Sequence, residues 1–181
     1  MITILFFLLT IFIDLWLASW VDLAFLQINF TFIPATTLLF LVYIQPQISK
    51  KDTYIMAIIV GAIIDLLAFT PLFTHSIVWV ISIYIITYWR NHIGDSLFEL
   101  VIIGLLTIFL KETILLVLAN ILSLSNISLM NWYVLRVFPT LLGNTVVLLL
   151  AYRLSMFYNR LHNNIQQKLV KKESSRWFFT N

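Results

Sequence analysis

The chain contains no cysteine, only four glycines and four prolines, and only 10% charged residues among its 181. Without cysteine there is no disulfide framework, no thiolate nucleophile and no cysteine metal site. With four glycines no Gly-rich phosphate loop can be built, and neither a Walker A pattern, a GxGxxG nor an HExxH occurs. No serine and histidine stand at a recognisable spacing from an acid, so no enzyme is expected. The three histidines, His75, His92 and His162, share no helical spacing with other ligands. No metal and no cofactor is therefore expected. Charge is also too sparse for a soluble domain, which carries about 25% charged residues.

What the chain does have is apolar mass. It is 61% hydrophobic and 15% aromatic, with a mean hydropathy of +0.99. This composition predicts an integral membrane protein, with the lipid bilayer as its solvent. The net charge of +3 then reads as a topology signal and not as a nucleic-acid footprint. The first apolar stretch, "FFLLTIFIDLWLASW", lacks a basic leader and a small-residue cleavage site, so it is expected to remain as the first helix.

Six apolar segments predict an all-α, six-transmembrane-helix bundle: 2–21, 32–46, 53–70, 74–90, 96–122 and 133–157. A helical crossing of ~30 Å of hydrocarbon needs about 20 residues. The second segment is short, and the preceding "LAFLQINFTF" is expected to be interfacial or re-entrant. Residues 1–158 form the membrane domain, and 159–181 a frayed basic tail. Pro34 suits the first turn of the second helix. Pro71 and Pro139 are read as markers of turns or helix ends. Lys50, Lys51, Arg90 and the basic residues of the tail (Arg153, Arg160, Lys168, Lys171, Lys172, Arg176) fall on one side of a six-span plan. The loops of the other side hold none. The positive-inside rule places both termini in the cytoplasm. Trp16, Trp20, Trp79, Trp89 and Trp132 lie near the expected helix ends, where interfacial aromatic belts sit.

Asp14, Asp65, Lys111 and Glu112 fall inside expected spans, and Arg136 near the start of the last. Each such charge costs about 2.5–3.5 kcal/mol at a helix centre. They are expected to face inward at similar depth, with Asp14 and Asp65 accepting from Lys111 and Arg136. In "GAIID", Gly61 and Asp65 are four residues apart and share a helix face. A small residue there lets two backbones approach closely in lipid. That face is expected to be a packed interior or interface.

The stretch "GAIIDLLAFTPLFTHSIVWVISIYIITYWR", 61–90, resembles the signature region of the rod shape-determining protein MreD family. Gly61, Asp65, Leu66, Pro71, Leu72 and Tyr84 sit where that family's pattern puts them. The family's frequent glycine after the leucine is Phe73 here. "IPATTLLFLVY", 33–43, resembles the family's proline-led second helix, and "FPTLLGNTVVLLLAYRL", 138–154, its last helix with Asn144. The resemblance implies a non-enzymatic subunit of the bacterial cell-elongation machinery. Its implied partner is the bitopic membrane protein MreC. Through MreC it would meet MreB, RodA and a class B penicillin-binding protein. The family fold also resembles the substrate-binding subunit of energy-coupling-factor vitamin transporters, which gives an alternative function. Those subunits often carry Ala–x–x–x–Ala in the first helix for docking, and this first helix has only Ala18.

Overall fold

A run that is apolar on every side has no face to offer to water, and a helix built from it belongs in the middle of other helices. "TTLLFLVYI" is such a run. In the computed structural model it forms α2 (Thr36–Ile44), and all nine of its residues are buried. The structure describes the backbone of residues 2–24, 33–67, 71–90, 96–122 and 128–178, and the same residues' side chains except 20–24 and 169–178. Around α2 stand α1 (Ile2–Ala24), α3 (Lys50–Leu67), α4 (Thr74–Arg90) and α5 (Leu97–Ile121). The last helix is built from α6 (Leu129–Trp132), a π-helical turn at Tyr133–Val137, and α7 (Phe138–Phe178). α2 touches all of α1, α3, α4, α5 and α7, while α3 packs on α4, α4 on α5, and α5 on α7. Among the described residues there is no strand.

The core is mainly apolar, yet it also takes in polar residues while large apolar ones face outward. Thr10, Asp65, Thr107, Glu112, Thr140 and Asn144 are all fully buried, whereas Phe12, Leu149 and Val146 are exposed at 66%, 59% and 74%. Polar groups held inside under an apolar exterior are what hydrocarbon selects, because polar groups must find partners inside. Among the described residues, three helical stretches are long and apolar enough to cross a membrane: Ile2–Ser19, Leu97–Ile121 and Leu129–Lys168.

Several boundaries differ from those read in the sequence. α2 is nine residues long, about 13 Å at 1.5 Å per residue, and passes at Gln45–Gln47 into a 3₁₀ turn containing Pro46. Helix and turn together fall short of ~30 Å. Pro34 stands before the first turn and not within it, since Ala35 is the N-cap. The preceding stretch 23–32 lies outside the described residues from 25 onward. α7 continues through position 158 to Phe178 where a frayed tail was expected. "RLHNNIQQKLVKKESSRWF" has no glycine or proline to stop a helix, and its Gln, Lys and Leu are good helix formers. The side chains of Lys171, Lys172 and Arg176 lie outside the described residues.

Pro139 is not a helix end. It sits inside the continuous run from Leu129 to Phe178, two residues after the π turn. A proline ring crowds the carbonyl four residues back and removes one N–H, and a widened π turn is one way for a helix to absorb both. Pro71 does lie between helices: its carbonyl accepts from the Thr74 N–H at 3.2 Å and the Thr74 hydroxyl at 2.7 Å, opening α4. Trp79 and Trp132 are only 3% and 7% exposed, so they belong to the interior and not to a lipid-facing belt. Trp16 and Trp89 are half exposed, and the side chain of Trp20 lies outside the described residues.

At Phe73 the backbone takes φ 69°, the left-handed region that costs an L-residue about 1–2 kcal/mol. This is the position at which the resemblance places a glycine. Phe73→Gly is expected to raise unfolding stability by roughly 0.5–1 kcal/mol, the relief of strain exceeding the entropy of a freer unfolded chain. Detergent-titrated unfolding would check it, and a net loss would show the exposed ring to be held by contacts.

Candidate functional site

The charged residues gather around the starts of α2 and α4 and the π turn of the last helix. Three carboxylates there each tie one helix to the next: Asp14 and Asp65 bind helix starts, and Glu112 binds cations.

Asp14 on α1 reaches the start of α2. Its two carboxylate oxygens accept from the backbone N–H of Thr36 and Thr37 at 2.7 and 2.9 Å, and from the Thr37 hydroxyl at 2.6 Å. The reason lies in the sequence. The first N–H groups of a helix lack internal partners, and the N-cap is Ala35, whose side chain makes no cap. A neighbouring helix supplies the oxygens, and an anion there also meets the positive end of the helix dipole. Asn144 on α7 completes the cap. Its carbonyl oxygen accepts from the Ala35 N–H at 2.9 Å, and its amide donates to the carbonyls of Ile33 and Thr140 at 2.9 and 2.8 Å. Asp14→Ala is expected to cost about 2 kcal/mol, the upper range for a lost cap. Asp14→Asn should recover most of that, since Asn also caps well. Equal losses for the two, in detergent-titrated unfolding, would show that charge and not capping is at work.

Asp65 on α3 reaches the start of α4. It accepts from the His75 backbone N–H at 3.1 and 3.2 Å, and its Oδ1 lies 2.6 Å from His75 Nδ1. Asp65 is fully buried. Gly61, one turn earlier, lets the same two helices meet. A Cβ there would fall 2.6 Å from both the Cα and the N of Ser76. Ser76 Oγ in turn donates to the Ile58 carbonyl at 2.9 Å. The expected contact face of Gly61 and Asp65 is therefore the α3–α4 seam.

Glu112 on α5 reaches the π turn of the last helix. Arg136 Nε donates to its Oε2 at 2.8 Å, and Lys111 Nζ lies 2.9 Å from its Oε1. The Arg136 guanidinium also lies over the Trp132 ring, 4.3 Å from its centroid, a favourable cation–π placement.

The expected acceptors and donors meet other partners: Asp14 takes the Thr36 and Thr37 N–H groups and the Thr37 hydroxyl, Asp65 takes His75, and Lys111 and Arg136 both take Glu112. Backbone N–H groups at helix starts are invisible in a list of charged residues. The residues are still neighbours. Asp14, His75, Lys111 and Arg136 all line one cavity of about 370 Å³, together with apolar groups that include Ala18, Leu38, Ile64 and Trp79. Reading the sequence missed His75, Thr37, Trp79 and Trp132. His75 had one usable signal, its place at the opening of a helix ten positions after a buried acid.

A second close approach was also missed. A Cβ on Gly104 would lie 2.0 Å from Leu148 Cδ2 and 2.7 Å from the Tyr43 hydroxyl, so α5, α2 and α7 meet there. Tyr43 donates to the Leu100 carbonyl at 3.1 Å.

Among the described residues no three His, Asp or Glu side chains are grouped as a metal site would need. No protein family, curated protein or solved structure matches this chain.

Proposed function

We propose that the chain is a non-enzymatic, six-span subunit of the bacterial cell-elongation machinery, resident in the plasma membrane with both termini in the cytoplasm, and that it binds a bitopic partner of MreC type. The observation that carries this reading is the use made of the buried carboxylates. Asp14 and Asp65 each tie one helix to the start of the next, and Glu112 ties α5 to the π turn of the last helix. Chemistry that lipid makes costly is employed to hold a shape, which is what a scaffold needs. Gly61 and Asp65, on which the resemblance rests most, form the α3–α4 seam.

The six-span count treats α2 with its 3₁₀ turn as one short crossing. It puts every basic loop on one side. α7, 41 residues long, spans about 60 Å at 1.5 Å per residue. It would carry Arg160 and Lys168 beyond the hydrocarbon on that same side.

The test is recovery of the partner. The tagged chain, gently extracted from its own membrane, is expected to bring down a single-span protein of MreC type. Asp65→Asn, which weakens the seam, should reduce that recovery severalfold. Undiminished recovery and normal rod growth would remove Asp65 from the function. Absence of such a partner from the wild-type extract would end the elongation reading.

One observation favours a second reading, the substrate-binding subunit of an energy-coupling-factor vitamin transporter: the cavity beside Lys111 and Arg136. Coupling ATPases in the same extract would select it.

A further inference from the structure

The cavity has two cations on one wall, Lys111 and Arg136. Asp14, which also lines it, spends both carboxylate oxygens on the start of α2. Glu112 lies between the two cations. Lys111 is 3% exposed, so water screens little of its charge. Arg136 spends its Nε on Glu112, and no described residue accepts from its two terminal nitrogens.

Two further observations converge. Trp79, which borders the same cavity, has a buried indole N–H without a partner among the described residues. A buried polar group left so is costly and calls for an acceptor. Arg136 also stands on the π-helical turn, and such turns recur at functional sites. The rest of the wall is mainly aliphatic, with Ile11, Leu38 and Ile64. A volume of about 370 Å³ lies within the ~300–1,000 Å³ of small-molecule pockets.

We infer that this cavity binds a small amphiphilic anion, its phosphate or carboxylate on Lys111 and Arg136 and its apolar body against Trp79, Leu38 and Ile64. The edge of the guanidinium beyond Nε is shaped to hold two oxygens. The same chemistry is presented by an anionic lipid headgroup and by a water-soluble organic anion. The inference does not depend on the elongation reading, because its test uses the purified chain alone and scores no partner.

The experiment has two arms. In the first, the full chain is placed in nanodiscs of mixed phosphatidylglycerol and phosphatidylcholine, and lipids retained by the released protein are identified by native mass spectrometry. In the second, phenyl phosphate is titrated into the chain in a neutral maltoside, followed by tryptophan fluorescence. Retention of phosphatidylglycerol over phosphatidylcholine identifies a lipid headgroup. Saturable phenyl phosphate binding without that preference identifies a soluble anion. Either result should weaken about tenfold in Lys111→Gln, the loss of one charge-assisted hydrogen bond. That variant leaves Glu112 paired one-to-one with Arg136. Ala18→Phe, which fills the cavity and removes no charge, should weaken it comparably. Should one variant fail to fold, the other decides. Binding in neither arm, or binding unweakened in the folded variants, overturns the inference.

Discussion

Glu112→Gln is expected to lower unfolding stability by about 3–5 kcal/mol, the cost of leaving buried charge uncompensated. Glu112 is fully buried, and it is the single anion between Lys111 and Arg136. Glutamine keeps the volume and one acceptor oxygen but leaves two cations facing each other in a low-dielectric interior. The two partner substitutions should be far milder. Lys111→Gln and Arg136→Gln each leave one cation on one carboxylate, and pairs of polar groups among membrane helices contribute only about 0.6 kcal/mol on average. The asymmetry is the prediction. In detergent-titrated unfolding, Glu112→Gln should be the most damaging of the three, and combining it with Lys111→Met should restore part of the loss, a coupling read from a double-mutant cycle. Three equal losses would show that the triad is not a closed electrostatic unit.

Gly61→Leu should separate α3 from α4. Ordinary Cβ contacts begin near 3.4 Å, and a Cβ at Gly61 would be 2.6 Å from two backbone atoms of Ser76. Backbone cannot rotate aside as a side chain can, so the helices must move apart. Overpacking typically costs about 1–3 kcal/mol, and here the separation also strains two further links. One is the Ser76 hydroxyl on the Ile58 carbonyl at 2.9 Å. The other is the Asp65–His75 pair at 2.6 Å, which lies one turn along the same seam. Gly61→Ala should therefore be clearly destabilising, and Gly61→Leu should prevent recovery of folded protein. Gly61→Ala with unchanged stability would mean that the seam is looser than described.

The parts of this fold that were legible in the sequence are those with long periodic signals. α4 runs Thr74–Arg90 and α5 Leu97–Ile121, matching the apolar runs, because Ser96 and Glu99 form a capping box that fixes where α5 starts. The Gly61/Asp65 face was legible as a packed face because spacing of four on a helix is geometry. What it packed on was not. A pairing rule based on charge alone joins Asp65 to Lys111 or Arg136. The structure joins it to His75 and its backbone N–H, because helix starts are donors that no residue letter records. α2 was misjudged in length for a related reason. Its apolar run looks like a crossing, yet its burial on every side comes from being surrounded, and nothing in nine residues announces five neighbours. Pro139 was read as an end because a proline usually breaks a helix, and here the π turn just before it lets the helix run on. Trp132 lies near a helix start, but its ring faces inward.

The stitching of each helix to the next has a consequence for how the protein is made. A membrane chain leaves the translocon in sequence order, so a charged residue is safest when its partner follows soon after. Asp65 finds His75 ten positions later, Asp14 finds Thr36 after 22, and Glu112 finds Arg136 after 24. Each acid is therefore silenced within its own hairpin, before the rest of the bundle exists. The long-range closure is left to uncharged groups: Asn144 joins Ala35 across 109 positions. An amide can wait in lipid at far lower cost than a carboxylate. The order of emergence, and not only the finished packing, is thereby written into which polar residue stands on which helix.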